Sequence, residues 1–285
     1  MESVVEIQKL DENFRPVGHK LQIAGPEAGA EGVWLATEVQ GMLDPVSEAV
    51  SKPLGNRPGS RLVSTRVVER TLVFRVTIEG TGLEWASRDA AWKSLWDYDD
   101  YTGIFVTTDY SGCRFLKARL SEIEVDTTYD PHLNGATDVL MTVVADDPFW
   151  YPYNSIDTTR LHAEGSGVYA ELDFDLNNLV YSGQKASTYP VLNFTSTSGA
   201  PKVTFRTKGW EQTVKLPYVR NQSFVLSTDP MARQLQPDTV WRQANGVRYT
   251  TSIPKDFTDL KIIVSGANFG KVEAVIQPPF YRAWG

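Results

Sequence analysis

The sequence predicts a mainly β protein, a β-rich α+β chain with one main helix, and three observations carry that expectation. Leu72, Phe74, Val76 and Ile78 alternate along Arg70–Gly80, the period of two of a half-buried strand. From Leu83 to about Asp97 the period becomes helical: Trp92 lies seven residues after Trp85, and three and four before Leu95 and Trp96, so the four share a face. Beyond residue 165, short apolar runs recur between turns, the pattern of a β-sandwich.

The elements follow in order. Val4-Val-Glu-Ile7 and His19-Lys-Leu-Gln-Ile23 are short strands, Gly25-Pro-Glu-Ala-Gly-Ala-Glu-Gly32 is a turn-rich exposed connection, and Val33–Val39 returns to strand. Residues 41–60 carry Gly41, Pro45, Pro53, Gly55, Asn56, Pro58 and Gly59 with no sustained period, and read as a long loop, or as an arm that orders against another subunit. The strand to Ile78 stops at Gly80-Thr-Gly82, and the helix follows, with Arg88, Asp89 and Lys93 opposite the tryptophans. Packing of the tryptophan stripe on its own sheet is favoured over an exposed binding face. Ile104–Tyr110 and Arg114–Val125 flank a Ser111-Gly112 hairpin turn. Asp138–Ala145 is a strand with Leu140, Thr142 and Val144 on one side, ended by Asp147-Pro148 because proline cannot donate to a ladder.

A domain boundary is expected near 151–165, which gives domains of 1–155 and 156–285. In the second, strands are predicted at Leu172–Leu176, Val191–Thr195, Lys202–Thr207, Glu211–Leu216, Ser223–Ser227, Val240–Gln243, Val247–Thr251, Leu260–Ser265 and Lys271–Gln277. Asn245-Gly246 is the strongest short hairpin signal in the chain.

Composition bounds the function. Apolar residues make up 41% of 285 and charged residues 22%, enough to bury a core. No stretch approaches the roughly 18 apolar residues of a membrane span, and the acidic N-terminus has no hydrophobic signal core, so neither membrane insertion nor secretion is expected. One cysteine, Cys113, excludes an internal disulfide framework and fits a reducing cytoplasm as the place of synthesis. A net charge of −7 argues against nonspecific nucleic-acid binding, which needs cationic patches.

Catalytic and cofactor patterns are missing. His19, His132 and His162 have no partners at zinc-like spacing, Cys113 has no nearby histidine, and there is no GxSxG elbow, phosphate loop or dinucleotide fingerprint. No catalytic residue, metal ligand or cofactor is therefore assigned. The acidic groups Asp97/Asp99/Asp100, Asp146/Asp147 and Asp173/Asp175 have the residue type for glycoside hydrolysis or Ca²⁺ binding, but a solvated or subunit-contacting loop is preferred. The group at 97–100 stands where a helix dipole disfavours negative charge.

The order of Arg70–Gly80, Leu83–Asp97, Gly103–Val125 and Asp138–Trp150, closed by Asp147-Pro-Phe-Trp150, resembles the N-terminal domain of siphophage distal tail proteins. Tyr189-Pro-Val-Leu-Asn-Phe194, Val214-Lys-Leu-Pro217, Leu226-Ser-Thr-Asp-Pro230, Ile253-Pro254 and Phe280-Tyr-Arg-Ala-Trp-Gly285 resemble the C-terminal region of the actinobacteriophage branch, the minor tail proteins. That resemblance implies an N-terminal ring-forming domain and a C-terminal galectin-like β-sandwich. It implies a hexameric ring in the virion, assembled in the host cytoplasm, that joins the tail tube to the tip or baseplate hub and lets DNA pass. The implied partners are other copies of the chain, the tail tube protein, the tape-measure protein, the tail hub and, in some relatives, receptor-binding proteins.

Residue roles follow as expectations. Trp85, Trp92, Trp96, Phe149 and Trp150 are structural aromatics. Asp97, Asp99, Asp100, Asp126 and Asp130 are candidates for a neutral-to-acidic ring lumen. The rival is a carbohydrate-binding module stacking sugars on Trp210, Trp241 or Tyr249, with a glycosidase a weaker third. Defined oligomers without glycan affinity mark the platform, the reverse marks a lectin, and glycoside turnover marks an enzyme.

Overall fold

The alternation at 72–78 does produce a strand, and it lies deep in a sheet. In the computed structural model, which describes residues 3–12, 14–36, 39–55, 58–109, 111–153, 161–175, 187–230, 232–254 and 259–283, Leu72, Phe74, Val76 and Ile78 are almost wholly buried. Two units make up the chain: Met1–Tyr153 together with Tyr281–Gly285, and Asn154–Phe280. The described tail residues Tyr281–Ala283 thus group with the first unit, whereas the sequence alone assigns them to the second domain. Of the expected boundary segment, residues 154–160 lie outside the described residues.

The first unit is an antiparallel sheet in the order β2 (Pro16–Ala24), β1 (Val4–Leu10), β7 (Thr102–Thr108), β8 (Gly112–Val125), β9 (Ala136–Ala145), β6 (Arg70–Glu79) and β3 (Val33–Leu35). A short β10 (Tyr151–Pro152) pairs with the start of β8. In β9 the core face is Val139, Met141, Val143 and Ala145; Leu140, Thr142 and Val144 share the other, half-exposed side.

Helix α1 (Leu83–Ser94) closes the core. Gly80, just before it, has φ +127°, and a Cβ there would stand 2.9 Å from the Trp85 nitrogen, so the chain reverses from β6 into the helix only with glycine. Trp85, Trp92 and Trp96 are buried and Leu95 is half-buried. Asp89, expected on the polar side, is buried with them, because it falls four residues after Trp85 and three before Trp92 on the same stripe; Lys93 bridges it at 2.7 Å. The helix ends at Ser94, short of Asp97, so the Asp97–Asp100 group lies past the last turn.

Residues 41–60 are not a structureless loop. Ser47–Pro53 (β4) and Ser60–Val67 (β5) form a separate two-stranded hairpin, paired from Ser47 opposite Val67 to Pro53 opposite Ser60. Both strands are exposed along nearly their whole length. With neither face buried, selection leaves no inside–outside alternation, and so the strand signal is absent from the sequence.

In the second unit, β11 (Leu161–Asp175), β12 (Val191–Thr207) and β16 (Asp259–Ile276) are long strands broken by bulges. The paired predictions 191–195 and 202–207, and 260–265 and 271–277, are therefore halves of β12 and β16. Beyond the bulges one end carries β14 (Val219–Ser227) and β15 (Leu235–Gln236), and the other carries β13 (Trp210–Lys215). One core collects Leu192, Phe194, Phe224 and Val272 from the first end with Leu172, Phe205, Val214 and Ile262 from the second, so the sheet doubles over into two layers.

The strand predicted at Val240–Gln243 is a helix, α2 (Asp238–Gln243), opened by Pro237 with Asp238 in its first turn and Arg242 in its last, the charge order a helix dipole favours. No strand forms at Val247–Thr251. Asn245-Gly246 is accordingly no hairpin: the pair takes φ of 47° and 79° just past α2, where the Val247 N–H returns to the Ala244 carbonyl at 2.9 Å. A helix end and a tight hairpin both demand positive φ, and the dipeptide alone cannot tell them apart.

Candidate functional site

The root of the exposed hairpin is where the first unit gathers its least ordinary chemistry. Arg70 begins β6 in phase with Leu72 and Phe74, so the strand's pleat turns its side chain inward, and it is 1% exposed. Its Nε donates to the Pro148 carbonyl at 2.7 Å, and its Nη1 to the carbonyls of Leu43, at 2.8 Å, and Gly41. Its Nη2 donates to the Tyr281 carbonyl. One guanidinium fork thus ties the hairpin root, the closing Asp147-Pro-Phe-Trp150 turn and the C-terminal tail.

Arg114 repeats the device on β8, in phase with Leu116 and Ala118, and donates to the Arg282 carbonyl. Burial draws both guanidiniums down to about 10, with the Asp44 charge pulling Arg70 back up, so both stay charged at neutral pH. The tail is held further by the Ala283 N–H to the Met42 carbonyl at 3.0 Å and by Arg282 forked on Asp44 at 2.6 and 2.9 Å. Gly41 has φ +83°, and a Cβ there would meet the Thr71 carbonyl oxygen at 2.2 Å, which is why the root can lie so close on β6.

The expected structural aromatics lie in this frame. Trp92 meets Phe74 edge-on with ring centres 6.5 Å apart, and Trp96 at 5.6 Å. Trp150 is fully buried, and Phe149 stacks on Tyr281 at 5.7 Å and 16°. Asp147 organises its own turn, accepting from the Phe149 N–H and the Tyr151 hydroxyl.

The five acidic candidates are not brought together; they form two groups at opposite ends of α1. Asp97 accepts from the Asp99 N–H at 3.0 Å, and its own carbonyl takes the Leu120 N–H, at the hairpin-root end of the sheet. Asp126 accepts from the Thr128 N–H at 2.9 Å and Asp130 from the His132 N–H at 3.0 Å, beside the start of α1. The bond from the Asp99 N–H holds the Asp97 carboxyl below its usual range, as the Thr128 hydroxyl and N–H do for Asp126. Both folded values are depressed, so what these carboxylates add to their turns is present above the ordinary carboxylate range and lost as pH falls through the lowered values.

The remaining groups are spoken for structurally. Asp146 accepts from the Tyr101 hydroxyl and pairs with Arg119. Among the described residues no cluster of three His, Cys, Asp or Glu is arranged to hold a metal. Burial pushes the Cys113 thiol up, away from a reactive thiolate. Of the aromatics expected for sugar stacking, Tyr249 is buried, whereas Trp210 and Trp241 are half-buried and pack against the core of the second unit.

The buried arginines and the tail they hold escape a motif search. The signal available was phase: Arg70 and Arg114 each stand at an inward position of an alternating strand.

A β frame with an aromatic helix and a doubled-over second sheet make up the fold of a phage distal tail protein, and the relatives it resembles are structural proteins of phage tails. The SPP1 Dit (gp 19.1) protein, described as a paradigm of the hub adsorption apparatus in phages infecting Gram-positive bacteria, superposes with a TM-score of 0.62 at 12% identity over 97% of this chain and 99% of its own. A chain of the phage P2 baseplate in its activated conformation follows with a TM-score of 0.51 at 10% identity over 98% of each. By sequence the chain is a homologue of the minor tail proteins Gp27 of Mycobacterium phages L5 and D29, at 26% and 25% identity over 90% of this chain and 93% of each relative. No family model matches it.

Proposed function

We propose that the chain forms a homohexameric ring at the tail tip, joining the tail tube to the baseplate hub and leaving a passage for DNA. The observation that carries this reading is the β4–β5 hairpin. An isolated two-stranded sheet is marginal in water at best, yet this one exposes Val50, Leu62 and Val63, and among the described residues no third strand pairs with it. Its root, by contrast, is held by a buried arginine and the tail. A braced base under an uncovered apolar end is the construction of an arm reaching a neighbour. A heterologous arm-to-body contact is satisfied in every copy only when the assembly closes on itself. The role is one of scaffold rather than enzyme, and the proposed partners are the tube, tape-measure and hub proteins, with receptor-binding proteins beyond them.

Six copies of the 31.8 kDa chain have a mass of about 190 kDa, which light scattering will detect. Replacing Ser47–Val67 by a short Gly-Ser link is expected to abolish that species. The melting temperature of the rest should hold, because the hairpin contributes nothing to the core and Val46 and Val68 already meet at 3.2 Å. A 190 kDa particle surviving the deletion would remove the arm from the assembly.

The lumen is proposed to be neutral to acidic, using some of Asp97, Asp99, Asp100, Asp126 and Asp130. A cationic channel would hold the genome through counterion release, whereas an anionic one keeps it mobile, with repulsion screened over about 8 Å at physiological salt. Fluorescence anisotropy with a labelled duplex should show binding no tighter than the roughly 10⁻⁴–10⁻⁶ M of nonspecific contacts. Nanomolar binding at that salt would reject this lumen and leave the ring standing.

A further inference from the structure

Two surfaces of the first unit complement each other and cannot both be satisfied near one place. The hairpin leaves the sheet beside Arg70, which pairs with Ala145; the far end of the same two strands, Glu79 opposite Ala136, is about 30 Å away over ten residues. At that far end Leu83 is 90% exposed and Leu133 81%, with the Tyr129 ring also in solvent. These are the most exposed large apolar side chains described in the unit, and they sit on an ordered base. The Gly82 N–H donates to the His132 carbonyl and the Gly80 N–H to the Gly135 carbonyl, each at 2.8 Å, and His132 packs edge-on against Trp85. Asp126 and Asp130 rim the patch, each fixed by its bond to the backbone two residues on.

The hairpin presents the opposite chemistry. Near its distal end Leu54, Leu62 and Val63 are exposed, and Lys52 lies directly opposite Arg61 across the ladder. Among the described residues neither cation has a carboxylate partner, unlike Arg66, which pairs with Glu48. Like charges facing each other across a ladder destabilise a free hairpin, and an anionic surface would relieve them. The other acidic group, Asp97–Asp100, lies at the hairpin's own end of the sheet and exposes Tyr98, at 57%, rather than a pair of leucines.

We propose that the distal end of the hairpin docks on the Leu83–Leu133 patch of the next copy of this chain. Leu54, Leu62 and Val63 cover Leu83, Tyr129 and Leu133, while Lys52 and Arg61 meet Asp126 and Asp130, which leaves Asp97, Asp99 and Asp100 as the acidic candidates for the lumen. Apolar residues form the centre and paired charges the rim, the anatomy of a specific interface. The two surfaces differ and stand at opposite ends of the unit, so the contact is head-to-tail and propagates around a ring. This inference rests on the ring reading above and names the surfaces that close it.

The test is charge exchange in the full-length chain. Lys52→Glu with Arg61→Glu, and Asp126→Lys with Asp130→Lys, are each expected to weaken assembly by about tenfold or more, and an equimolar mixture of the two variants, or the chain carrying all four changes, to recover it. All four side chains are exposed, and an unchanged melting temperature will certify folding. Independently, Leu62→Cys with Leu133→Cys in a Cys113→Ser background should give a ladder of covalent multimers on mild oxidation, which neither cysteine gives alone. Assembly as tight as that of the unaltered chain in both charge variants, with no ladder, overturns this contact while the ring remains. An unaltered chain that stays monomeric at every concentration overturns the ring itself.

Discussion

Arg70→Ala is expected to cost about 3–5 kcal/mol, the range for removing one partner of a buried charged network. The side chain is 1% exposed and donates to the carbonyls of Gly41, Leu43, Pro148 and Tyr281; alanine removes all of these bonds at once. The effect should also be local in a telling way. Gly41 and Leu43 are the hairpin's root and Tyr281 belongs to the tail, so both ought to come loose together. Trypsin provides the readout, because Lys52, Arg61 and Arg66 all lie in the hairpin. Faster cleavage there, with a lowered melting temperature, is the expected pair of results. Arg70→Lys should rescue little, since one ammonium cannot span four acceptors set around a planar fork. A variant that melts and is cleaved like the original protein would mean that the fork is incidental.

Trp92→Ala should be of similar size, about 3–5 kcal/mol, for a different reason. The ring is fully buried between Phe74 and Trp96, both in contact with it through ring edges, and its loss opens a cavity where the helix meets β6. For a unit of this length the melting temperature should fall by roughly 6–20 °C. Its indole N–H has no acceptor, so Trp92→Phe should be considerably milder, losing volume and no hydrogen bond. Unaltered melting with lost assembly would place Trp92 at an interface instead.

The frame was legible because burial writes itself into sequence. Where one face of a strand is wet and the other dry, as in β6, the period of two is visible. Where a helix lies on a sheet, the tryptophans repeat at its period, and where a chain must stop pairing, Asp147-Pro148 marks the place. The same logic explains the failures. The β4–β5 hairpin has no dry face in a single copy, so nothing in its residues distinguishes it from a loop. Asn245-Gly246 reports only a need for positive φ, which the end of α2 supplies as readily as a turn between strands. Asp89 looked like a solvent residue because it is charged, though its position on the stripe sends it inward.

The order of the frame elements from β6 through α1 to β9, their strand phase and the want of catalytic spacing are local properties, and the sequence by itself determined them. It also carried enough of the tail-protein pattern to point to the fold. What only the tertiary structure decided is where chain segments far apart in sequence meet. Tyr281 lies 211 residues from Arg70, and Arg282 lies 168 from Arg114. No periodicity links positions so far apart, and a backbone carbonyl is the same chemical group in every residue. Which carbonyls a buried arginine finds depends on how the whole unit closes, and that closure is what sets the hairpin's root and leaves its far end uncovered.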